Sequence, residues 1–311
     1  MIKKILITGG AGCLGSNLLE HFFRQGHEIL VIDNFATGKK EVVPEQPRLS
    51  LVEGSIADQA LVDRSFDDFK PDFVIHSAAS YKDPDNWVED TKTNVLGSIH
   101  VANAAIKHGV KRLINFQTAL CYGRPSKIPI PINHPTNPFT SYGISKHSGE
   151  AFLLHSSLPV ISLRLANICG PRLAIGPLPT FYKRLKEGKN CFCSEAIRDF
   201  LDMTDFLRLI DQALEDSAPL GIFNVSTGLG YSIYDLFCAV CEYLEIDMPE
   251  VPRLPVGDDD VSEVVLDPSK TEKAFNWKAT VKFKDTIHNQ LRWYDKFGIN
   301  DIYSHLAEPK S

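Results

Sequence analysis

A tyrosine and a lysine stand four residues apart in Tyr142-Gly-Ile-Ser-Lys146, a spacing that puts both side chains on one face of a helix. A phenol with a pKa of about 10 is a poor base at neutral pH, and a lysine one turn away is expected to lower it. Far upstream, Gly9-Gly-Ala-Gly12-Cys-Leu-Gly15 follows a short apolar run and opens a helical pattern. In that setting the glycines allow a tight turn, and a pyrophosphate can rest on the helix N-terminus. Gly9, Gly12, Cys13, Leu14 and Gly15 are therefore candidate dinucleotide contacts. Asp33 ends the next apolar run, where a carboxylate accepts hydrogen bonds from both ribose hydroxyls of an adenosine, with Asn34 beside it. An acid there repels a 2′-phosphate, so the expected cofactor is NAD rather than NADP.

The elements that must hold these groups are legible in the pattern. Apolar runs at 5–7, 29–32, 49–52, 73–75, 113–116 and 160–163 alternate with helical periodicity at 14–24, 59–69, 91–107 and 145–155. This predicts an α/β fold: a Rossmann-type doubly wound parallel sheet with a smaller, discontinuous α/β substrate domain. The expected division is 1–165 with 201–226 for the cofactor domain, and 166–200 with 227–311 for the substrate domain. The second part should carry a short helix at 181–186, helices at 204–215, 233–244, 269–275 and 285–297, and a strand at 222–225.

The 311 residues are 43% hydrophobic and 23% charged, with a formal net charge of -6, which gives no electrostatic reason to expect nucleic acid or an anionic membrane. No apolar run reaches the roughly 20 residues of a membrane span. The strand pattern begins at Lys3-Lys4, leaving no room for a cleavable signal, so a cytoplasmic location is expected. The seven cysteines are odd in number. Cys238-Ala-Val-Cys241 lies within a helical pattern with no further Cys or His pair nearby in sequence, and Cys191-Phe-Cys193 is similarly placed, so packing roles are expected and no metal site.

Taken together, the segments TGGAGCLGS (8–16), VIDNFATG (31–38), HSAA (76–79), TNVLGS (93–98), CYG (121–123), YGISK (142–146), RLANICGPR (164–172), RDFLDMTDF (198–206) and FNVSTG (223–228) resemble the extended short-chain dehydrogenases/reductases, specifically the nucleotide-sugar epimerase/dehydratase family. The resemblance covers essentially the whole chain. It implies a catalytic set of Thr118, Tyr142 and Lys146, in which Thr118 orients a sugar hydroxyl, Tyr142 removes its proton and Lys146 also holds the nicotinamide ribose. It implies that Ala78 and Ala79 line the cofactor and Asn94 braces the loop around its ribose, although Asn94 is also a plausible helix-start residue. Ser55 and Ile56 stand where the adenine binds, with Ser55 in place of the family's usual Asp. His76 reads as a packed core histidine. On the substrate side, Asn167 and Arg198 match positions that hold a nucleotide diphosphate, a surface or capping role being the alternative. Tyr81 and Lys82 are expected to face the sugar. The arginine that the family commonly carries just before Gly257-Asp258 is absent, and Arg253 could replace it only if the loop shifts.

The residues after Thr118 discriminate among reactions. Resemblance to 4,6-dehydratases would require Asp-Glu there, decarboxylases carry a Glu, and some 3,5-epimerases place an acid/base Cys. Ala119-Leu120 offers no proton, and Cys121 reads as packing. The expected reaction is thus NAD-dependent epimerisation at carbon 4 of a UDP-hexose or its amino or uronic derivative, through a transient ketone. Net dehydrogenation is the alternative, and a non-catalytic NAD-sensing protein is a further reading that the presence of both Tyr142 and Lys146 disfavours. The helices at 91–107 and 145–155 carry apolar residues beyond what one sheet face needs; in the family the equivalent pair forms a four-helix interface, so a homodimer is expected.

Overall fold

The computed structural model describes residues 2–81, 83–258, 260–299 and 302. Its first part runs β1 (Lys4–Thr8), α1 (Cys13–Arg24), β2 (Glu28–Asp33), β3 (Leu49–Glu53), α2 (Gln59–Phe69), β4 (Phe73–His76) and α3 (Trp87–Asp90). A π-helical segment, Thr91–Gly97, leads into α4 (Ser98–Lys107), β5 (Arg112–Thr118), a 3-10 turn at Ala119–Tyr122, α5 (Ser141–His155) and β6 (Val160–Leu165). The second part runs β7 (Asn167–Cys169), α6 (Pro177–Lys186), β8 (Cys193–Ser194), β9 (Ile197–Arg198), β10 (Phe200–Asp202), α7 (Met203–Ala213), β11 (Gly221–Val225) and β12 (Tyr231–Ser232). It closes with α8 (Ile233–Leu244), β13 (Arg253–Leu254), β14 (Glu263–Val264), α9 (Ser269–Phe275) and α10 (Phe283–Phe297).

Seven strands make one sheet in the order β11-β6-β5-β4-β1-β2-β3, parallel throughout. A parallel sheet is covered on both faces, which is why its strands read as unbroken apolar runs. Leu18, Phe22, Phe206 and Ile210 from α1 and α7 pack one face, and Val62, Phe66, Val101 and Ala105 from α2 and α4 pack the other. Each fully buried phenylalanine contributes about 1.5–3 kcal/mol. Strand order reverses between β1 and β4, the switch point where ligands of such sheets bind beyond the strand ends. A second core, with Phe181, Phe237, Ile287, Leu291 and Tyr294, is built by α6, α8 and α10.

The expected helix at 91–107 differs in its first two turns. There the chain is π-helical before it becomes α4. The wider turn carries Asn94 inward, where its side chain has work to do; single π turns of this kind concentrate at functional sites. The short strands β7 to β10 and β12 to β14 were not anticipated, because two- or three-residue strands leave no period to read.

Candidate active site

The glycine turn and Asp33 form one unit. Gly9 adopts a left-handed conformation (φ +69) against the backbone of Ala78, and a Cβ on Gly15 would lie 2.2 Å from the Gly9 carbonyl oxygen. α1 therefore starts hard against the end of β1, with Gly12 as a cap that has no side chain to occupy the first-turn N–H groups. Asp33 accepts the Ala11 N–H at 2.8 Å and the Phe35 N–H at 2.8 Å. Burial pushes its carboxyl above the usual range, and those two N–H groups pull it back. Asn34 is exposed and accepts the Ala36 N–H. Cys13 points its thiol at the Pro171 carbonyl, and burial pushes that thiol up to about 12, so it is inert packing beside Leu14.

Across the switch point, Ser55 accepts the Ala57 N–H and Ile56 is buried, its carbonyl meeting His100. Ala78 donates its N–H to Thr8, and Ala79 follows it in the same half-buried loop. His76 is fully buried between the hydroxyls of Thr8 and Ser98, each 2.9 Å away. Burial, aided by Lys146, lowers it to about 3, so it stays neutral and structural. Asn94 donates to the Ser80 carbonyl and to the Ser145 hydroxyl, and accepts the Ser80 N–H, pinning the loop after β4 to α5. The close approach depends on Gly149, where a Cβ would sit 2.2 Å from the Asn94 carbonyl oxygen. These groups fit a dinucleotide laid across the strand ends.

Tyr142 and Lys146 lie on α5, capped by Thr140. The first turn of α5 packs on the turn that follows Thr118, with Gly143 set against the Leu120 carbonyl. Thr118 caps that turn by accepting the Leu120 N–H at 3.1 Å. The Tyr81 ring meets the Tyr142 ring edge-on at 6.0 Å. The turn that Thr118 caps thus meets the first turn of the helix bearing Tyr142 and Lys146, and Tyr81 meets Tyr142 there; Lys82 lies outside the described residues. Within the protein's own groups burial raises the Tyr142 phenol, and Tyr81 and Asp90 push the same way. Burial lowers the Lys146 ammonium to about 8, against the pull of Glu150.

Several polar residues hidden within apolar runs hold this set. Gln117 donates to the Lys146 carbonyl and accepts the Thr118 N–H, linking the Thr118 strand to the Lys146 turn. Beneath Lys146, Glu150 accepts from Ser162 and from the Arg164 guanidinium at 2.8 Å, and Arg164 stacks on Tyr122. Burial opposes Glu150's charge, but His147, Arg164 and Ser162 hold the carboxyl down at about 2. The signal available in sequence was a polar residue within a strand run: Gln117 in β5, Ser162 and Arg164 in β6. Ala119 and Cys121 are buried, and burial pushes the Cys121 thiol up to about 12, so the turn after Thr118 supplies no acid or base.

On the substrate side, Asn167 is exposed at the start of β7 and donates to the Asp199 carbonyl. Arg198 donates to Asp260 at 2.7 Å and to the Ile197 carbonyl, so part of the guanidinium is held by the acidic loop. Arg253 lies over the Tyr234 ring, 3.9 Å from its centre, on a strand paired with β8. Cys193 and Cys241 share the second core, and among the described residues no group of His, Cys, Asp or Glu is arranged to hold a metal.

Residues 5–226 match the model of the NAD dependent epimerase/dehydratase family. The chain belongs to this family. NAD is its cofactor, as the family match gives it. The structure resembles the Bordetella bronchiseptica enzyme WbmG, solved in complex with NAD and UDP, at 65% identity and a TM-score of 0.95, covering 99% of this chain and 100% of that one. A UDP-glucose 4-epimerase of Thermotoga maritima, solved with UDP-glucose, is 29% identical with a TM-score of 0.87, over 94% of this chain and 99% of that one. A putative UDP-arabinose 4-epimerase of Arabidopsis thaliana is 29% identical over 94% of this chain and 76% of its own length.

Proposed function

We propose that this family member epimerises a UDP-sugar at carbon 4, with Tyr142 as base, Thr118 orienting the sugar hydroxyl and Lys146 holding the nicotinamide ribose. The observation that carries this reading is that Gln117 ties the end of the Thr118 strand to the Lys146 turn of the helix bearing Tyr142, beside a turn whose buried Ala119 and Cys121 bring no second acid or base. When bound, NAD accepts and returns the hydride. Tyr142 removes the hydroxyl proton and gives it back, Thr118 fixes the oxygen, and Tyr81 walls the sugar side. Asn167 and Arg198 hold the diphosphate, Arg198 with the donors that Asp260 leaves open. The names of the relatives support the UDP-sugar class.

The exposed side chains of Leu96, Ile144 and Phe152 support a homodimer that buries the π-helix and α5 face. The free cysteines, with no disulfide, suit the reducing cytoplasm. No helix among the described residues is long and apolar enough to cross a membrane. The test is to incubate the enzyme with UDP-hexoses, UDP-pentoses and their amino and uronic derivatives. One of these should interconvert with its 4-epimer without net NADH, keeping its carbon-bound deuterium at carbon 4. Stoichiometric NADH, or solvent deuterium beside the ketone, would overturn the reading. Sedimentation as a monomer at micromolar concentration would remove the dimer.

A further inference from the structure

Three places where the chain passes from one sheet to another meet at one residue. The first is at Asn167, two residues after β6 ends. The second is Asp199 itself, the single residue between β9, which belongs to the three-stranded sheet β12-β9-β14, and β10, which pairs with β7. The third is Thr227-Gly228, just after β11 and before β12.

Asp199 is fully buried. Its Oδ1 accepts the Thr227 hydroxyl at 2.7 Å and shares the Thr227 N–H at 3.0 Å; its Oδ2 accepts the Gly228 N–H at 2.8 Å. Its backbone carbonyl accepts both the Asn167 N–H at 3.0 Å and the Asn167 side-chain amide at 3.2 Å. All of these donors are neutral, and they come from the other two crossings. Arg198, the next residue back, ends β9 and reaches Asp260.

We propose that Asp199 is a positioning residue that ties the three crossings together and so keeps Asn167 and Arg198 in register with Tyr142. The proposal rests on the reading of Asn167 and Arg198 as the diphosphate contacts. The chemistry requires a carboxylate rather than an amide. Thr227 and Gly228 present donors to both oxygens, so an asparagine must set its NH₂ against one of them and leave a buried donor unsatisfied. The catalytic set on α5 and the NAD turn at β1 share none of these bonds, so loosening the knot should be felt by the nucleotide sugar and not by the dinucleotide.

The experiment uses the NAD-loaded enzyme, with UDP titrated calorimetrically and the epimerised UDP-sugar followed kinetically. Arg198→Ala tests the underlying reading: it should weaken UDP by at least about tenfold, and unchanged affinity there removes the diphosphate assignment itself. Asp199→Asn should raise the UDP Kd and the KM by about 10–100-fold, with a smaller fall in kcat and NAD affinity within about twofold. Thr227→Val, which removes one hydroxyl donor and leaves the backbone bonds to Asp199, should raise them by about 3–10-fold and decides the matter if Asp199→Asn does not fold. If Arg198→Ala loses UDP while the Asp199 and Thr227 variants keep wild-type affinity, Asp199 is not a positioning residue. An equal loss of NAD affinity would likewise overturn the proposal, as a mark of general destabilisation.

Discussion

Glu150 on α5 and Asp199 at the chain crossings are both buried carboxylates, and they are kept in opposite ways. Glu150 faces the Arg164 guanidinium, and its carboxyl stays down at about 2. Asp199 receives only N–H and O–H dipoles; burial outweighs them and raises it to about 6. Asp33 resembles Asp199, with burial raising it against two backbone N–H groups. A full opposite charge offsets desolvation that dipoles offset only in part. The helix that carries Tyr142 therefore rests on a pair that is fixed across physiological pH, while the regions proposed to hold the dinucleotide and the diphosphate rest on carboxylates that burial raises.

The largest effect should come from breaking the paired carboxylate. Glu150→Ala strands the Arg164 charge in a buried site, and a loss of about 3–5 kcal/mol in unfolding free energy is expected. Denaturant titration checks it, and a loss under about 1 kcal/mol would show that the pairing is not what holds β6 to α5. Tyr142→Phe makes the contrasting change on the same helix. It keeps the ring against Tyr81 and removes the hydroxyl, so NAD binding and stability should hold while turnover falls by hundreds-fold or more. Retained turnover would mean another group serves as base.

Those two residues also differ in how readily the sequence disclosed them. Tyr142, Lys146, Asp33 and the glycines were legible because each chemistry imposes a local spacing, and the strands of the large sheet because burial on both faces imposes unbroken apolar runs. Glu150, Gln117 and Asp199 act through partners 12, 29 and 28 residues away, and no periodicity encodes such pairings. The π-helical turn under Asn94 was likewise hidden, since one widened turn barely disturbs an apolar pattern. Arg198 could be singled out in the sequence, but its Asp260 partner depends on a loop whose path only the fold decides.

Asp33 sharpens the comparison as a carboxylate held by N–H groups alone. Asp33→Ala removes its charge and frees the Ala11 and Phe35 N–H groups. The preference for NAD over NADP should narrow by about 10–100-fold, mostly through weaker NAD binding and a lost repulsion toward the 2′-phosphate. Titration of both dinucleotides measures it. An unchanged ratio would place the discrimination elsewhere in the turn.

The smallest effect is a slope. Asp199 sits at about 6 in the fold against an ordinary 3.8, so between those values the folded state binds more protons than the unfolded chain. Its contribution to stability must therefore fall as pH rises through that window, by at most ~1.4 kcal/mol per pH unit. Glu150, at about 2 against 4.5, has the opposite sign: its contribution is complete above 4.5 and is lost as pH falls toward 2. Subtracting the stability curve of Asp199→Asn from that of the wild type isolates the first slope, because the amide does not titrate. The difference should decline from about pH 4 to about pH 6 and flatten above it. A difference that instead rises over this range would mean that the Thr227 and Gly228 donors hold the carboxylate as firmly as Arg164 holds Glu150, and the contrast between the two regions would vanish.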